Sequence, residues 1–122
     1  MFLVDSVYDI SLLKKIRIKA RAYIHGHSAG GTNPSLVENM FLGKFPLAFN
    51  NGFNNSTLQY AGWYWNSADE LISLVRRFED ITVDELNYTS SQIKEKSLEM
   101  YTWRKVAEEY LACFETGKGT LM

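Results

Sequence analysis

Cysteine, proline and excess charge of either sign are all scarce in this chain, and each scarcity excludes something. A single cysteine, Cys113, rules out an internal disulfide and points to a reducing cytoplasm. With Leu111 and Phe114 beside it, Cys113 is expected to be a partly buried structural thiol. The net charge of −1 argues against nucleic-acid binding, which draws its affinity mainly from phosphate neutralisation. The basic cluster Lys14, Lys15, Arg17, Lys19 and Arg21 alternates with apolar residues and reads as a solvated helix face. No apolar run is long enough to span a bilayer. Met1 to Asp9 has neither the basic start nor the long apolar stretch of a secretory signal. Internal repeats and low-complexity linkers are missing too, so a soluble cytoplasmic protein is expected.

What is present is enough for one domain. The chain has 122 residues, 46% of them hydrophobic, sufficient for a modest core. Phe2 to Val7 reads as a short strand, and Asp9 caps a helix over Ile10 to Lys19. Ala22 to Ile24 is a second strand. Asn33 is a good N-cap and Pro34 suits the first helical position, opening a helix over Ser35 to Leu42 that Gly43 closes. Phe45 to Phe49 is a third strand, in which Pro46 must lie near the start or where no ladder bond is needed. Asn50 to Tyr60 reads as a polar loop with at most one helical turn, and Trp63 to Trp65 as a fourth strand. Capping boxes at Ser67/Glu70 and Thr82/Glu85 open two helices, the first with Leu71, Ile72, Leu74, Val75 and Phe78 on its apolar face. Thr102 caps a last helix carrying Val106, Ala107, Tyr110, Leu111 and Phe114. Residues 116–122 have no periodicity and are expected to be a disordered tail. The alternation predicts an α/β fold: a parallel sheet of about four strands with flanking helices.

The stretch from His25 to Glu38 carries the chemistry. A strand ends, a glycine-rich loop follows and a capped helix begins, which is where open α/β sheets bind ligands. Gly30 and Gly31 let a ligand approach the backbone, and the helix start adds roughly half a positive charge. Thr32, Asn33 and Ser35 bring polar groups to the same end, so a diphosphate fits there. Glu38 shares a face with Ser35 and sits on the order of 6 Å lower. At that depth it suits a ribose hydroxyl and not a phosphate. Each feature has a plainer reading: a glycine pair that only needs positive φ, a solvated glutamate, and histidines that hydrogen-bond at the mouth of the site. His25 and His27 as metal ligands would need an acidic or Cys partner nearby, so no metal is expected.

The run Tyr23-Ile-His-Gly-His-Ser-Ala-Gly-Gly-Thr-Asn-Pro-Ser-Leu-Val-Glu-Asn-Met40, with Gly43, Pro46 and Ala48-Phe49 after it, resembles a bacterial rhamnosyltransferase group. That group lies within the retaining glycosyltransferase family four, which has the GT-B fold with a Rossmann-like C-terminal domain. The Ala68 to Leu71 helix start and the Trp103 helix also match, and the resemblance runs from Phe2 to about Glu115. It implies a donor loop at Gly30, Gly31, Thr32 and Asn33, and a nucleoside-sugar contact at Glu38. The first glutamate of the family's Glu-x7-Glu pattern would fall on Gly30, so His25 or His27 is left to contact the donor sugar. Relatives carry Asn-Arg-Glu after a Phe where this chain has Phe53-Asn-Asn-Ser-Thr57.

The resemblance implies that residues 1–115 are a C-terminal, nucleotide-sugar-binding donor-domain fragment of a hexosyltransferase. Such an enzyme would move a hexose, rhamnose from a dTDP donor in the named group, onto a polysaccharide or lipid-linked acceptor. No further cofactor is implied. The acceptor domain would lie elsewhere in the enzyme, at the inner face of the membrane, and the isolated fragment is expected to be inactive and to self-associate. Two other readings differ in class. A non-catalytic, receiver-like phosphate- or nucleotide-binding module would want clustered acidic residues at strand ends, where only Asp5 stands. A sugar-nucleotide epimerase would want an early G-x-G-x-x-G loop, and none occurs.

Overall fold

The computed structural model describes residues 8–28 and 33–115. The strand expected over Phe2 to Val7, the loop residues Gly30, Gly31 and Thr32, and the tail lie outside them. The described residues form an α/β fold with a three-stranded parallel sheet, ordered β1-β2-β3, and six helices. The strands are β1 (Ala22–His25), β2 (Phe45–Phe49) and β3 (Trp63–Trp65). The helices are α1 (Ile10–Lys19), α2 (Pro34–Phe41), α3 (Gly52–Leu58), α4 (Ala68–Glu79), α5 (Val83–Met100) and α6 (Trp103–Glu115). The cap chemistry places most of the boundaries. Asp9, Asn33, Ser67 and Thr82 each accept a backbone N–H in the first turn of their helix, and Lys105 N–H donates to the Thr102 hydroxyl at 3.2 Å. Past α2, Gly43 takes the left-handed conformation at φ 67, which stops the helix.

The polar stretch after β2 is more ordered than its sequence implies. Residues Gly52–Leu58 form α3, capped by Asn51, whose side chain accepts from Asn54 N–H at 2.8 Å. Its buried residues are Asn54, Thr57 and Leu58, so two of the three inward side chains are polar and the helical apolar period is missing. The helix stops where Gln59 and Tyr60 both adopt positive φ.

Both faces of β2 are covered. On one face Leu36 and Met40 of α2, Ala48, Leu58 and Ile93 of α5 form the core, with Tyr23, Tyr64 and Tyr101 packed around it. Burial of each of the larger side chains contributes about 1.5–3 kcal/mol. On the other face Phe45, Trp63 and Phe78 of α4 pack edge to face or tilted, with ring centroids 4.9 to 6.3 Å apart. Arg77 lies 4.0 Å over the Trp63 ring. Pro46 is tolerated in this central strand for a positional reason. Phe45 N–H donates toward β1, to Arg21 O at 3.4 Å, so the Pro46 nitrogen faces β3. The β2–β3 ladder begins only at Leu47, opposite Trp63, and no bond is lost.

Two expectations are corrected by exposure. Cys113 is exposed, because the apolar stripe of α6 is uncovered among the described residues: Tyr110, Leu111 and Phe114 are all exposed. On α4, Leu71, Leu74, Val75 and Phe78 are half-buried, whereas Ile72 points outward. Among the described residues no helix is long and apolar enough to cross a membrane.

Candidate functional site

Parallel pairing puts the carboxyl ends of all three strands on one edge, and α2, α3 and α4 each start just beyond it. His25, opposite Ala48 in the register, shares the core face of the sheet with Tyr23. It is buried, only 4% exposed. The Tyr23 hydroxyl lies 3.1 Å from its Nδ1, and Nε2 is buried with no hydrogen-bond partner among the described residues. His27 is exposed, with its ring stacked 6.0 Å from that of His25. Burial, helped by His27, holds the His25 pKa below its ordinary value of 6.5.

That shift has a consequence for stability. The unfolded chain takes up a proton on His25 near pH 6.5, and the folded chain takes it up only at lower pH. Between the two values the unfolded state binds more protons, so stability is full above about pH 6.5 and declines as the pH falls below it. Thermal melts from neutral pH downward should show this decline, and His25→Gln should flatten it. An equal slope in both proteins would remove His25 as the cause.

The start of α2 is less open than its sequence implies. The Asn33 side chain accepts from Ser35 N–H at 2.9 Å, and Pro34 has no N–H to offer. The Ser35 amide is therefore committed to its own cap. One turn on, Glu38 is exposed and forms an ion pair with Arg17 of α1.

Arg17 is the residue that sequence reasoning misjudged most. It is half-buried, turned from the solvated face onto Glu38. Between α1 and α2 a cleft of about 320 Å³ opens, lined by Leu13, Lys14 and Arg17 on one side and Glu38 and Phe41 on the other. Apolar walls with two cations and a carboxylate can take a flat or sugar-like group bearing negative charge.

A second group of residues was missed altogether. Asn54 of α3 donates from Nδ2 to the carbonyls of His27 and Phe49, both at 3.0 Å, and Asn51 adds a bond to His27 O at 3.3 Å. The loop after β1 is thus tied to the end of β2. Beside it the amides run in one direction, Asn55 to Asn50, Asn50 to Asn66, and Asn66 to the Glu70 carboxylate. The carboxylate can only accept, so it orients the row. The Asn-rich segment after β2 is therefore a scaffold for the strand ends.

His25 ends β1, Asn33 caps α2, Ser35 and Glu38 lie one turn apart on α2, and His27 is exposed two residues past His25. Gly30, Gly31 and Thr32 fall outside the described residues. Among the described residues no group of three or more His, Cys, Asp or Glu side chains is placed to hold a metal ion. Comparison with family models, curated proteins and solved structures finds no match to this chain.

Proposed function

We propose that this chain forms the donor side of a glycosyltransferase, binding a nucleoside-diphosphate sugar at the carboxyl edge of its sheet. One observation carries the reading: Glu38, one turn past Ser35 on α2, lines the cleft between α1 and α2. A diphosphate at the α2 start would leave the nucleoside sugar one unit lower, at Glu38, and a base against the apolar wall of the cleft. Arg17 supports the reading in two ways. It holds the Glu38 carboxylate in place, and it supplies positive charge that the glycine-rich loop lacks.

The resemblance to the rhamnosyltransferase group of family four adds the finer proposal: a GT-B donor domain, a hexose as the transferred group, and dTDP as its carrier. In that arrangement the acceptor binds on another domain of the enzyme, and the described residues position the donor without themselves completing the reaction.

Calorimetric titration tests the proposal. Among dTDP, UDP and GDP, dTDP should bind this chain best, and Glu38→Gln should weaken it by about 1.5–3 kcal/mol, the range for a hydrogen bond to a charged group. The fold should survive the substitution, because Glu38 is exposed and contributes nothing to the core. Equal affinity in both proteins would remove Glu38 from the site, and no affinity for any nucleoside diphosphate would remove the function.

A further inference from the structure

Along α6 the residues Trp103, Val106, Ala107, Tyr110, Leu111 and Phe114 recur at helical spacing and form one apolar stripe. Little covers it among the described residues. The helix packs against α5, yet only Lys105 and Val106 of its 13 residues are even half-buried. Trp103 is 87% exposed and Phe114 73%. An uncovered apolar stripe of this length marks an interaction surface, and the charges beside it indicate what fits.

Those charges run against the helix dipole. The helices α4 and α5 open on acidic residues, and α1 and α4 end on basic ones, as the dipole favours. In α6 the order is reversed: Arg104 and Lys105 stand in the first turn and Glu115 closes the last. Its exposed ion pairs, Arg104 with Glu108 and Lys105 with Glu109, also run from base to acid along the chain, the weaker direction. Within one copy this order is unfavourable. Beside an antiparallel helix of the same sequence it becomes favourable, because each basic first turn meets the acidic last turn and negative dipole end of the other.

We infer that the apolar stripe of α6 docks antiparallel on α6 of a second copy of this chain. The stripe is complementary to itself in that arrangement. With the two-fold axis near Glu108 and Glu109, Trp103 lies opposite Phe114 of the second copy, Val106 beside its Tyr110, and the small Ala107 beside its Leu111. Arg104 falls on the flank that carries Glu115, and the symmetry makes that contact twice. A helix of this length spans about 20 Å, so the contact buries less than the roughly 800 Å² per partner of a standard interface. The dimer is accordingly weak and forms only as the protein is concentrated.

Sedimentation velocity of the full chain, from micromolar to millimolar protein, tests this. The apparent mass should rise from that of one chain to that of two. Leu111→Glu should hold it at one chain throughout, with an unchanged helical circular dichroism spectrum, since Leu111 is exposed and outside the core. Arg104→Glu should weaken the dimer about tenfold, because two favourable contacts become repulsive. Adding Glu115→Arg to it should return most of that loss. The two residues lie roughly 16 Å apart on one helix, so such a rescue reports a contact between copies. A chain that stays monomeric at millimolar concentration overturns the inference and leaves the stripe to another domain. Dimers that survive Leu111→Glu overturn it in favour of a different surface. A double variant no better than Arg104→Glu alone overturns the antiparallel arrangement.

Discussion

Gly62→Ala is expected to destabilise the protein by about 3 kcal/mol or more, within the range of severe backbone and packing defects. Gly62 has φ 79, and a Cβ there would stand 2.4 Å from Pro46 Cγ and 2.5 Å from the Pro46 carbonyl oxygen. A left-handed conformation alone costs a non-glycine residue roughly 1 kcal/mol. The clash adds more, because neither the proline ring nor the backbone oxygen can turn aside. Relief would require β2 and β3 to part where their ladder starts, next to Leu47 and Trp63. Gly52 supplies the control, since a Cβ there meets nothing within 4 Å. Denaturant titration should show a large fall in midpoint for Gly62→Ala and little change for Gly52→Ala. A Gly62→Ala loss below about 0.5 kcal/mol, the scale of ordinary surface substitutions, would contradict the close approach of the two strands.

Asn54→Asp should have the second-largest effect. Asn54 is buried, and its amide nitrogen satisfies the carbonyls of His27 and Phe49 together. A carboxylate of the same shape puts an oxygen against two carbonyl oxygens and buries a charge between them. The expected loss at neutral pH is about 3 kcal/mol, as for a buried charge without compensation. Acid should return part of it, because the carboxyl group of the variant, once protonated, can donate one of the two lost bonds. Asn54→Ala should cost less, about 1–3 kcal/mol for the desolvated carbonyls. Both variants should speed amide exchange near His27 while α5 stays protected. Neutral behaviour in Asn54→Asp would mean that α3 does not tie the loop to the sheet.

Most of the element order was legible because it rests on local chemistry. Asp9, Asn33, Ser67, Thr82 and Thr102 announce their helices by the N–H groups that they cap, and alternating or aromatic runs mark β1, β2 and β3. The helix α3 was not legible. It buries Asn54 through a hydrogen bond to the His27 carbonyl that only the folded chain brings near, and Thr57 through one to Phe53 O a turn back, so its sequence shows no apolar stripe. The candidate site rests on local pattern as well. The strand-loop-helix pattern marks His25, Asn33, Ser35 and Glu38 as candidates, since these are close in sequence. Tyr23 was legible as a strand residue, yet the contact of its hydroxyl with His25 Nδ1 exists only in the folded chain. Arg17 reaches Glu38 across 21 residues of chain, and no local spacing announces such a pair. Cys113 erred in the opposite direction: its apolar neighbours imply a packed helix face, and that face is uncovered among the described residues.

The central claim is that a nucleoside diphosphate binds where β1 ends and α2 begins. Backbone nitrogen-15 spectra of the full chain during a dTDP titration test it most directly. The account predicts saturable shifts concentrated at His25, His27, Asn33, Ser35 and Glu38, with smaller changes at Arg17 across the cleft. Shifts confined to α4 or α5, or an unchanged spectrum at millimolar dTDP, would contradict it.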